Sequence, residues 1–345
     1  MDGGMKACVL KKPFELVIDD VEQRQPADDE VLIGVKAAGI CGSDLHAYRG
    51  THPFRKPPII SGHEFSGRVE AVGRDVRKVR SGEPVTVEPW THCGMCAYCS
   101  QGKTNLCLDK VAMGTSDWPG CFAEYVVAPE NVVYKLPENV SYEIGALIEP
   151  LAASMHAVRR VGVESDETAV IFGAGAIGLG ILICLCVTGI TRVVVTDVVD
   201  FNLDVAKKLG ATAAVNVKQQ SIREEVENIT GGKGADIVFI AAGVGSLMQE
   251  AVEVAGKDGR ISVPAIFDAP VEIDMFKVVF AERNLHGSWA YTRKDFEIII
   301  DLLTLGKIDP LPLITHRFAL DEAAKALQIF DARSENAIKM LFRFE

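Results

Sequence analysis

The chain has 345 residues, of which 48% are hydrophobic, and this is enough apolar material for two hydrophobic cores. Its formal charge of -11, from 36 basic and 47 acidic residues, and the lack of a basic run argue against nucleic acid as a partner. No apolar stretch is long enough to span a bilayer, and the first ten residues lack the features of a secretory signal, so we expect a cytoplasmic protein with reduced thiols and no membrane partner.

The first half of the sequence is typical of a β-rich domain. Between residues 31 and 140, short β-prone segments such as residues 31–35 and 67–72 are separated by glycine and proline. From residue 141 to residue 160 the pattern becomes helical. We place the first domain at residues 1–155.

The second half alternates strand-like and helix-like segments. Apolar strand-like segments lie at residues 168–172, 192–196, 235–241 and 260–263, and amphipathic stretches of helical length separate them. This order predicts a parallel sheet with helices on both faces, a doubly wound α/β domain that we place at residues 156–290.

The C-terminal segment, residues 291–345, has a different pattern. An amphipathic helix is predicted at residues 295–305 and a second helix at residues 320–330, and β-like segments precede and follow the second helix at residues 313–318 and 339–344. We expect this segment to return to the first domain.

A glycine-rich motif follows the first strand of the second domain. Gly173, Gly175 and Gly178 form the pattern G-x-G-x-x-G between that strand and an apolar helical stretch, which is the context of a dinucleotide-binding site. The glycines allow a tight turn, close approach of a pyrophosphate and close packing of the helix on the sheet. Asp197, 22 residues beyond Gly175, can accept hydrogen bonds from the adenosine ribose and would repel a 2'-phosphate, so NAD is favoured over NADP.

Four cysteines lie within one loop, residues 91–108. Cys93, Cys96, Cys99 and Cys107 have the spacing C-x2-C-x2-C-x7-C. Four thiolates imply a closed tetrahedral zinc site, which is structural because no coordination position is open. An iron–sulfur cluster is the alternative for such a set of ligands.

Three further segments, residues 39–46, 61–64 and 148–150, carry cysteine, histidine and glutamate side chains that can bind a metal. Taken singly, each of these side chains is as well explained as a buried structural residue. Their order and combination with the four-cysteine loop and the glycine motif resemble the zinc-dependent medium-chain dehydrogenase/reductase superfamily, over essentially the whole chain.

Other stretches resemble particular branches of that superfamily. Residues 134–163, 196–197 and 315–318 look like the polyol dehydrogenase branch, which includes sorbitol dehydrogenase, whereas residues 119–125 look more like threonine dehydrogenase. The resemblance implies a GroES-like, mostly β catalytic domain followed by a Rossmann domain. It also implies a homotetramer whose sheets join near residues 270–290.

The resemblance assigns metal ligands as well. Cys41 and His63 would bind a catalytic zinc, with Glu64 and Glu149 as its carboxylate ligands. The two carboxylates need not bind at the same time, and which of them binds in the resting enzyme stays open. Each subunit would hold one NAD and two Zn, one catalytic and one structural.

A proton relay and a set of cofactor contacts are implied in the same way. Zinc with an open position binds a substrate hydroxyl and lowers its pKa, and Ser43 would take the hydroxyl proton and pass it through the cofactor ribose to His46. Asp44 would orient His63 through its second ring nitrogen. The residues expected to line the cofactor, besides the glycine motif and Asp197, are Ile177, Asn202, Pro264, Ala265, Ile266, Ser288 and Trp289.

The sequence therefore predicts zinc-dependent, NAD-linked oxidation of a secondary hydroxyl of a small polyol or related alcohol to a ketone. Ala47 and Ala290 replace an aromatic residue and an arginine that usually reach a polyol substrate, which argues against a sorbitol-like substrate. Tyr48, Arg49 or Arg55 could take their place and would accommodate a phosphorylated polyol, a cyclitol or a shorter diol. Oxidation of threonine or 2,3-butanediol is the alternative with the same machinery, and a non-catalytic binding protein on this scaffold is the alternative of another class.

Overall fold

The computed structural model describes residues 4–345, which form two compact units. The first unit contains the chain up to Glu149 together with Leu303–Leu305 and Ile314–Glu345. The second contains Pro150–Leu302 and Gly306–Leu313. Within the described residues, no helix is both long enough and apolar enough to cross a membrane.

The strands and helices follow the sequence prediction closely. In chain order, the strands are β1 (Gly4–Lys12), β2 (Glu15–Glu22), β3 (Glu30–Gly39), β4 (Ile59–Ile60), β5 (Glu64–Val72), β6 (Pro84–Val87), β7 (Tyr125–Pro129), β8 (Val133–Lys135), β9 (Thr168–Phe172), β10 (Arg192–Asp197), β11 (Ala213–Asn216), β12 (Ala235–Ile240), β13 (Ala255–Val263), β14 (Asn284–Gly287), β15 (Ile314–Ala319) and β16 (Lys339–Arg343). The helices are α1 (Gly42–Tyr48), α2 (Tyr142–Gly145), α3 (Ile148–Val161), α4 (Ala176–Thr188), α5 (Asp200–Lys208), α6 (Ile222–Thr230), α7 (Ser246–Val254), α8 (Met275–Phe280), α9 (Arg293–Thr304) and α10 (Ala323–Asp331).

The first unit is rich in β-structure. Its larger sheet has the strand order β15-β16-β3-β5-β6-β8, with β7 also paired to β3, and its smaller sheet has the order β2-β1-β4. The C-terminal strand β16 lies antiparallel to β3, with Leu341 opposite Gly39. Phe122 and Phe342 pack edge to face in the core, with ring centroids 4.9 Å apart. The end of the chain is thus part of the same core as its beginning.

The second unit contains a six-stranded sheet in the order β11-β10-β9-β12-β13-β14, and every neighbouring pair is parallel. All five residues of the central strand β9 are buried, as expected of a strand covered on both faces. The predicted doubly wound fold is confirmed. Because the strand order reverses beside β9, a crevice for a nucleotide is expected at the carboxyl ends of these strands.

The units divide at places that differ from the predicted boundaries at residues 155 and 290. The first division falls at Glu149, and α9 lies almost entirely in the second unit. The Asp295 carboxylate, at the start of α9, is 2.8 Å from His156 Nδ1 and also binds Arg159. Phe296 beside it is fully buried. These contacts with α3 explain why α9 stays with the second unit.

Candidate active site

The four cysteines of the loop at residues 91–108 surround one point. Their Sγ atoms all lie within 4.8 Å of one another, and none of the four forms a disulfide. Cys93 Sγ is 4.0 Å from Cys99 Sγ and 3.5 Å from Cys107 Sγ. Sulfur atoms that bind zinc tetrahedrally at about 2.3 Å are ~3.8 Å apart. The loop therefore has the geometry of a closed zinc site.

Backbone amides point at these sulfur atoms. The N–H of Cys93 donates to Cys107 Sγ (3.3 Å), and the N–H of Cys96 donates to Cys93 Sγ (3.4 Å). The pKa of the Cys96 thiol is lowered to about 6, mainly by a hydrogen bond from the Leu108 backbone amide. Burial raises the pKa of the Cys99 thiol to about 12. All four sulfurs can ionise together only with a cation among them, which fits a metal site.

Cys93→Ser should remove the metal from this loop and lower the melting temperature by about 5 °C or more. The base of the loop is closed by two hydrogen bonds between Thr91 and Val111, and the metal would hold the rest. The measurements are zinc content by mass spectrometry and thermal unfolding by calorimetry. Cys186→Ser is the control, because Cys186 is an exposed free thiol outside the loop. A Cys93→Ser protein with its full zinc content would contradict the assignment.

A second group of possible metal ligands consists of Cys41, His63 and Glu64, whose ligand atoms lie within 4.8 Å of one another. Cys41 is the residue before α1, and Glu64 is the first residue of β5. Gly39 at the end of β3 lies opposite Glu64 in the antiparallel register, so the sheet itself brings the three residues together. A Cβ atom on residue 39 would clash with the Glu64 carboxylate, so any other residue here would displace that side chain.

A buried lysine that the sequence analysis missed lies beside this group. Lys339 Nζ donates to both carboxylate oxygens of Glu64, at 2.9 and 2.7 Å, and to Ile40 O at 3.1 Å. Burial alone would lower the pKa of Lys339, but Glu64, Cys41 and Glu149 raise it, so the lysine remains charged. The sequence did contain a sign of this ion pair, because Lys339 lies in a mostly apolar last strand and a buried charge without a partner is costly.

Glu149 is buried in the first turn of α3, and its charge acts on Lys339. Among the described residues it does not belong to the group formed by Cys41, His63 and Glu64. Of the two carboxylates predicted as zinc ligands, the structure therefore brings only Glu64 within ligand distance of the cysteine and the histidine.

Asp44 is close to His63 but does not hydrogen-bond to it. Asp44 Oδ1 lies 3.7 Å from His63 Nδ1, beyond hydrogen-bond length, and the carboxylate accepts the backbone N–H groups of Cys41 and Gly62, both at 3.0 Å. Burial would raise the pKa of Asp44, but His63, Arg55 and the Cys41 amide hold it at about 2. Asp44 thus fixes the two backbone segments that carry Cys41 and His63, and its carboxylate also forms a long ion pair with His63 Nδ1.

The two residues of the predicted relay lie on α1. Ser43 and His46 are three residues apart, which places them on the same face of the helix. Ser43 Oγ accepts a hydrogen bond from Arg55 Nη1 at 2.6 Å, and His46 Nδ1 is 3.3 Å from Thr51 Oγ1. Arg55 was not among the residues predicted for the relay.

In the second unit, the residues predicted to bind the dinucleotide lie at the carboxyl ends of the parallel strands. Gly173 follows β9, Asp197 ends β10, residues 264–266 follow β13, and residues 288–289 follow β14. These ends share one edge of the sheet, where doubly wound domains bind nucleotides. One site is therefore possible for all of them.

The three glycines of the motif differ in their local geometry. Gly173 has a φ of +98°, which a residue with a side chain rarely adopts, and a Cβ on Gly178 would collide with the Gly173 carbonyl. A Cβ on Gly175 would meet nothing within 4 Å. The space that this leaves at the N-terminus of α4 fits a pyrophosphate.

Asp197 also orders the glycine-rich turn, a contact that the sequence analysis missed. Its Oδ2 accepts the N–H of Ala174 at 2.7 Å, and its Oδ1 accepts the N–H groups of Val198 (2.7 Å) and Val199 (3.0 Å). The Asn202 Oδ1 and Ser288 Oγ atoms, both in the predicted cofactor set, are buried without a hydrogen-bond partner. A bound dinucleotide would supply partners for such atoms, so the residues present fit the cofactor.

A doubly wound domain with this turn, together with a cysteine, histidine and glutamate group in a β-rich unit, defines a zinc-dependent, nucleotide-linked dehydrogenase. Residues 27–138 match the alcohol dehydrogenase GroES-like domain, and residues 176–304 match the zinc-binding dehydrogenase family. The chain belongs to this zinc-binding alcohol dehydrogenase family of the medium-chain superfamily, as its sequence predicted.

Three known proteins illustrate the relationship. The L-threonine 3-dehydrogenase of Bacillus licheniformis is 36% identical, over 95% of this chain and 96% of its own. The sorbitol dehydrogenase of Bacillus subtilis is 33% identical, over 94% of this chain and 93% of its own. The solved structure of the alcohol dehydrogenase rspB from E. coli CFT073, with NADH bound, is 35% identical with a TM-score of 0.92 and covers 99% of this chain and 100% of its own. With the four-cysteine site, these findings support zinc and NAD as the cofactors of an alcohol dehydrogenase.

Proposed function

We propose that the protein oxidises a secondary hydroxyl of a small polyol or related alcohol to a ketone, reversibly and with NAD as the hydride acceptor. The observation that carries this proposal is the group of Cys41, His63 and Glu64, which offers a metal three ligands rather than the four of a closed site. The sorbitol and threonine dehydrogenases among its relatives support a substrate of this kind.

In this proposal Cys41, His63 and Glu64 hold the catalytic zinc in the resting enzyme. When bound, zinc supplies a Lewis acid that lowers the pKa of a substrate hydroxyl. A carboxylate has lone pairs enough to bind a metal and to accept hydrogen bonds from Lys339 as well. The lysine offsets part of the negative charge of the ligands, and Glu149 acts from outside them through its charge on the lysine.

Ser43 then accepts the proton of the substrate hydroxyl. His46, on the same face of α1, is the group that passes the proton on to solvent. Asp44 holds the backbone of Cys41 and Gly62 so that the ligands keep their spacing. The cofactor residues named above would bind NAD at the sheet edge of the second unit.

A substrate screen tests the proposed function. Purified, zinc-loaded protein would be given polyols, cyclitols, polyol phosphates, threonine and 2,3-butanediol with NAD, and NADH formation would be followed by absorbance. Highest kcat/KM on a polyol or cyclitol, phosphorylated or not, supports the proposal. A clear preference for threonine or 2,3-butanediol would contradict the proposed substrate class and leave the reaction type unchanged. Failure to oxidise any of these alcohols would overturn the proposed activity.

Asp197→Ala should relax the preference for NAD over NADP, by about tenfold in the ratio of kcat/KM values. The carboxylate would repel a 2'-phosphate and accept the ribose hydroxyls, and alanine does neither. Because Asp197 also binds the Ala174 amide, the affinity for both cofactors should fall as well. Asp204→Ala is the control, since Asp204 is an exposed acid on α5. An unchanged ratio would remove Asp197 from cofactor selection.

We also propose that the protein assembles as a homo-oligomer, with a tetramer as the form expected from the resemblance. Helix α8 exposes four apolar side chains, Met275, Phe276, Val279 and Phe280, each between 52% and 72% accessible, and the edge strand β14 follows it in the chain. An apolar patch next to an unpaired strand edge is a common subunit contact. Location in the cytoplasm remains a prediction that the free thiols support.

A further inference from the structure

Arg55 is a buried arginine that neither group of cysteine ligands uses. It follows α1, precedes β4 and is only 2% exposed. Within the described residues its guanidinium hydrogen-bonds to a hydroxyl and a carbonyl rather than to a carboxylate, and its Nε is buried with no hydrogen-bond partner. The charge of Arg55 acts favourably on the buried Asp44 carboxylate, but without a hydrogen bond to it. A buried charge with an unpaired donor still destabilises a fold, so packing alone does not account for an arginine here.

Three contacts fix where this guanidinium points. The Arg55 backbone N–H donates to His52 Nδ1 (3.0 Å), Nη2 donates to Met113 O (3.1 Å), and Nη1 donates to Ser43 Oγ (2.6 Å). On the Nε side lies Gly114, where a Cβ would come within 3.3 Å of Nε. The backbone and Nη2 therefore anchor the side chain, and Nη1 is directed at Ser43.

His52 does not compete for this role. Burial and the charge of Arg55 lower its pKa to about 4, so the ring is neutral at physiological pH. Its Nδ1 accepts backbone N–H groups, which places the ring proton on the other nitrogen. Arg55 is thus the charged donor of this loop that contacts Ser43.

We propose that Arg55 is the positioning residue of the proton relay, an inference that rests on the proposed function. A serine hydroxyl has one proton and two lone pairs, and an arginine can only donate. With one Ser43 lone pair bound to Arg55, the other is left for the substrate proton, and the Ser43 O–H must point away from the arginine. The proton from the substrate therefore forms a new bond to Ser43 Oγ, while the proton already on Ser43 leaves along the relay that ends at His46.

The charge balance of this step is simple. Arg55 keeps all its protons, and the two electrons leave the carbinol carbon with the hydride that NAD accepts. The guanidinium also places a fixed positive charge beside Ser43 Oγ. This charge favours release of the proton that Ser43 already carries, at the moment when the substrate proton arrives. Arg55 thus orients the Ser43 hydroxyl, and in this proposal it does so without contacting the substrate.

A double-mutant cycle tests this inference. The variants are Arg55→Met, Arg55→Lys, Ser43→Ala and the Ser43→Ala/Arg55→Met double variant, with kcat and KM measured on the best substrate. Arg55→Met should lower kcat on the order of tenfold to a hundredfold with little change in KM, zinc content or NADH affinity. Arg55→Lys should restore part of the rate, and in the Ser43→Ala background the loss from Arg55→Met should nearly vanish. Arg68→Met is the control, because Arg68 is an exposed arginine paired with Glu70.

Several results would overturn the inference. Additive losses in the cycle would show that Arg55 does not act through Ser43, and a raised KM with unchanged kcat would make Arg55 a substrate-binding residue. A readout independent of turnover is the Ser43 rotamer in crystals of Arg55→Met, and an unchanged rotamer would also contradict positioning. If Arg55→Met fails to fold, Arg55→Lys takes its place in the test. A kcat of Arg55→Lys clearly below that of the wild type supports the inference, and a kcat equal to that of the wild type refutes it. A wild-type protein that oxidises none of the alcohols would refute the proposed function but not the role of Arg55. The Ser43 rotamer in crystals of the wild type and of Arg55→Met would still test that role.

Discussion

Cys41→Ser is expected to abolish alcohol oxidation while leaving the affinity for NADH nearly unchanged. The Cys41 sulfur belongs to the group with His63 and Glu64, and a serine hydroxyl is a far poorer zinc ligand than a thiolate. Loss of the metal removes the acidification of the substrate hydroxyl, so we expect kcat/KM to fall about a thousandfold or more. The residues that fit the cofactor belong to the other unit and are unchanged.

The measurements are NADH formation by absorbance, NADH binding by fluorescence titration and zinc content. Cys186→Ser, which replaces an exposed thiol outside both metal groups, should behave as the wild type. The Cys41→Ser protein should retain the zinc of the four-cysteine loop. If NADH affinity fell as far as turnover, Cys41 would be maintaining the fold instead of holding a catalytic metal.

Lys339→Met should destabilise the metal-free protein by about 3–5 kcal/mol, the usual cost when a buried ion pair loses one partner. Glu64 and Lys339 are 1% and 3% exposed, so neither water nor counterions can replace the lost charge. Zinc next to Glu64 would compensate the carboxylate in place of the lysine. The destabilisation should therefore be clearly smaller in the zinc-loaded protein.

Thermal unfolding in the presence of zinc and in the presence of a chelator gives this comparison. Lys325→Met is the matched control, because Lys325 is an exposed lysine 3.6 Å from Glu322. Equal destabilisation in both states would mean that Glu64 does not bind the metal. No destabilisation in either state would contradict the ion pair itself.

The parts of the fold that the sequence predicted are those decided by nearby residues. Strand β9 and the glycine turn after it follow from a short apolar run and three glycines within six positions, and the structure has them where they were predicted. The four-cysteine metal site was predictable for the same reason, because its four ligands all lie within a stretch of fifteen residues. In both cases the spacing of the residues along the chain is enough to predict the motif.

The parts that could not be predicted depend on contacts between distant residues. Lys339 and Glu64 are 275 positions apart, and only the pairing of β16 with β3 brings them together. Glu64 and Glu149 look equally suitable as ligands in the sequence. Only the folded chain shows that Glu64 lies with Cys41 and His63, whereas Glu149, in the first turn of α3, lies outside that group. Arg55 lies only 12 positions from Ser43, but the path of the intervening loop decides that its side chain turns back to the helix.

The position of β16 after the nucleotide domain bears on how the protein is made. A ribosome releases the segment with Cys41, His63 and Glu64 long before it releases Lys339, and the whole nucleotide domain emerges in between. Until then the edge of β3 at residues 37–39 has no strand beside it, and Glu64 has no lysine. The nascent β-rich half is thus left with an open edge, where chaperones or neighbouring chains could bind, until β16 has been translated.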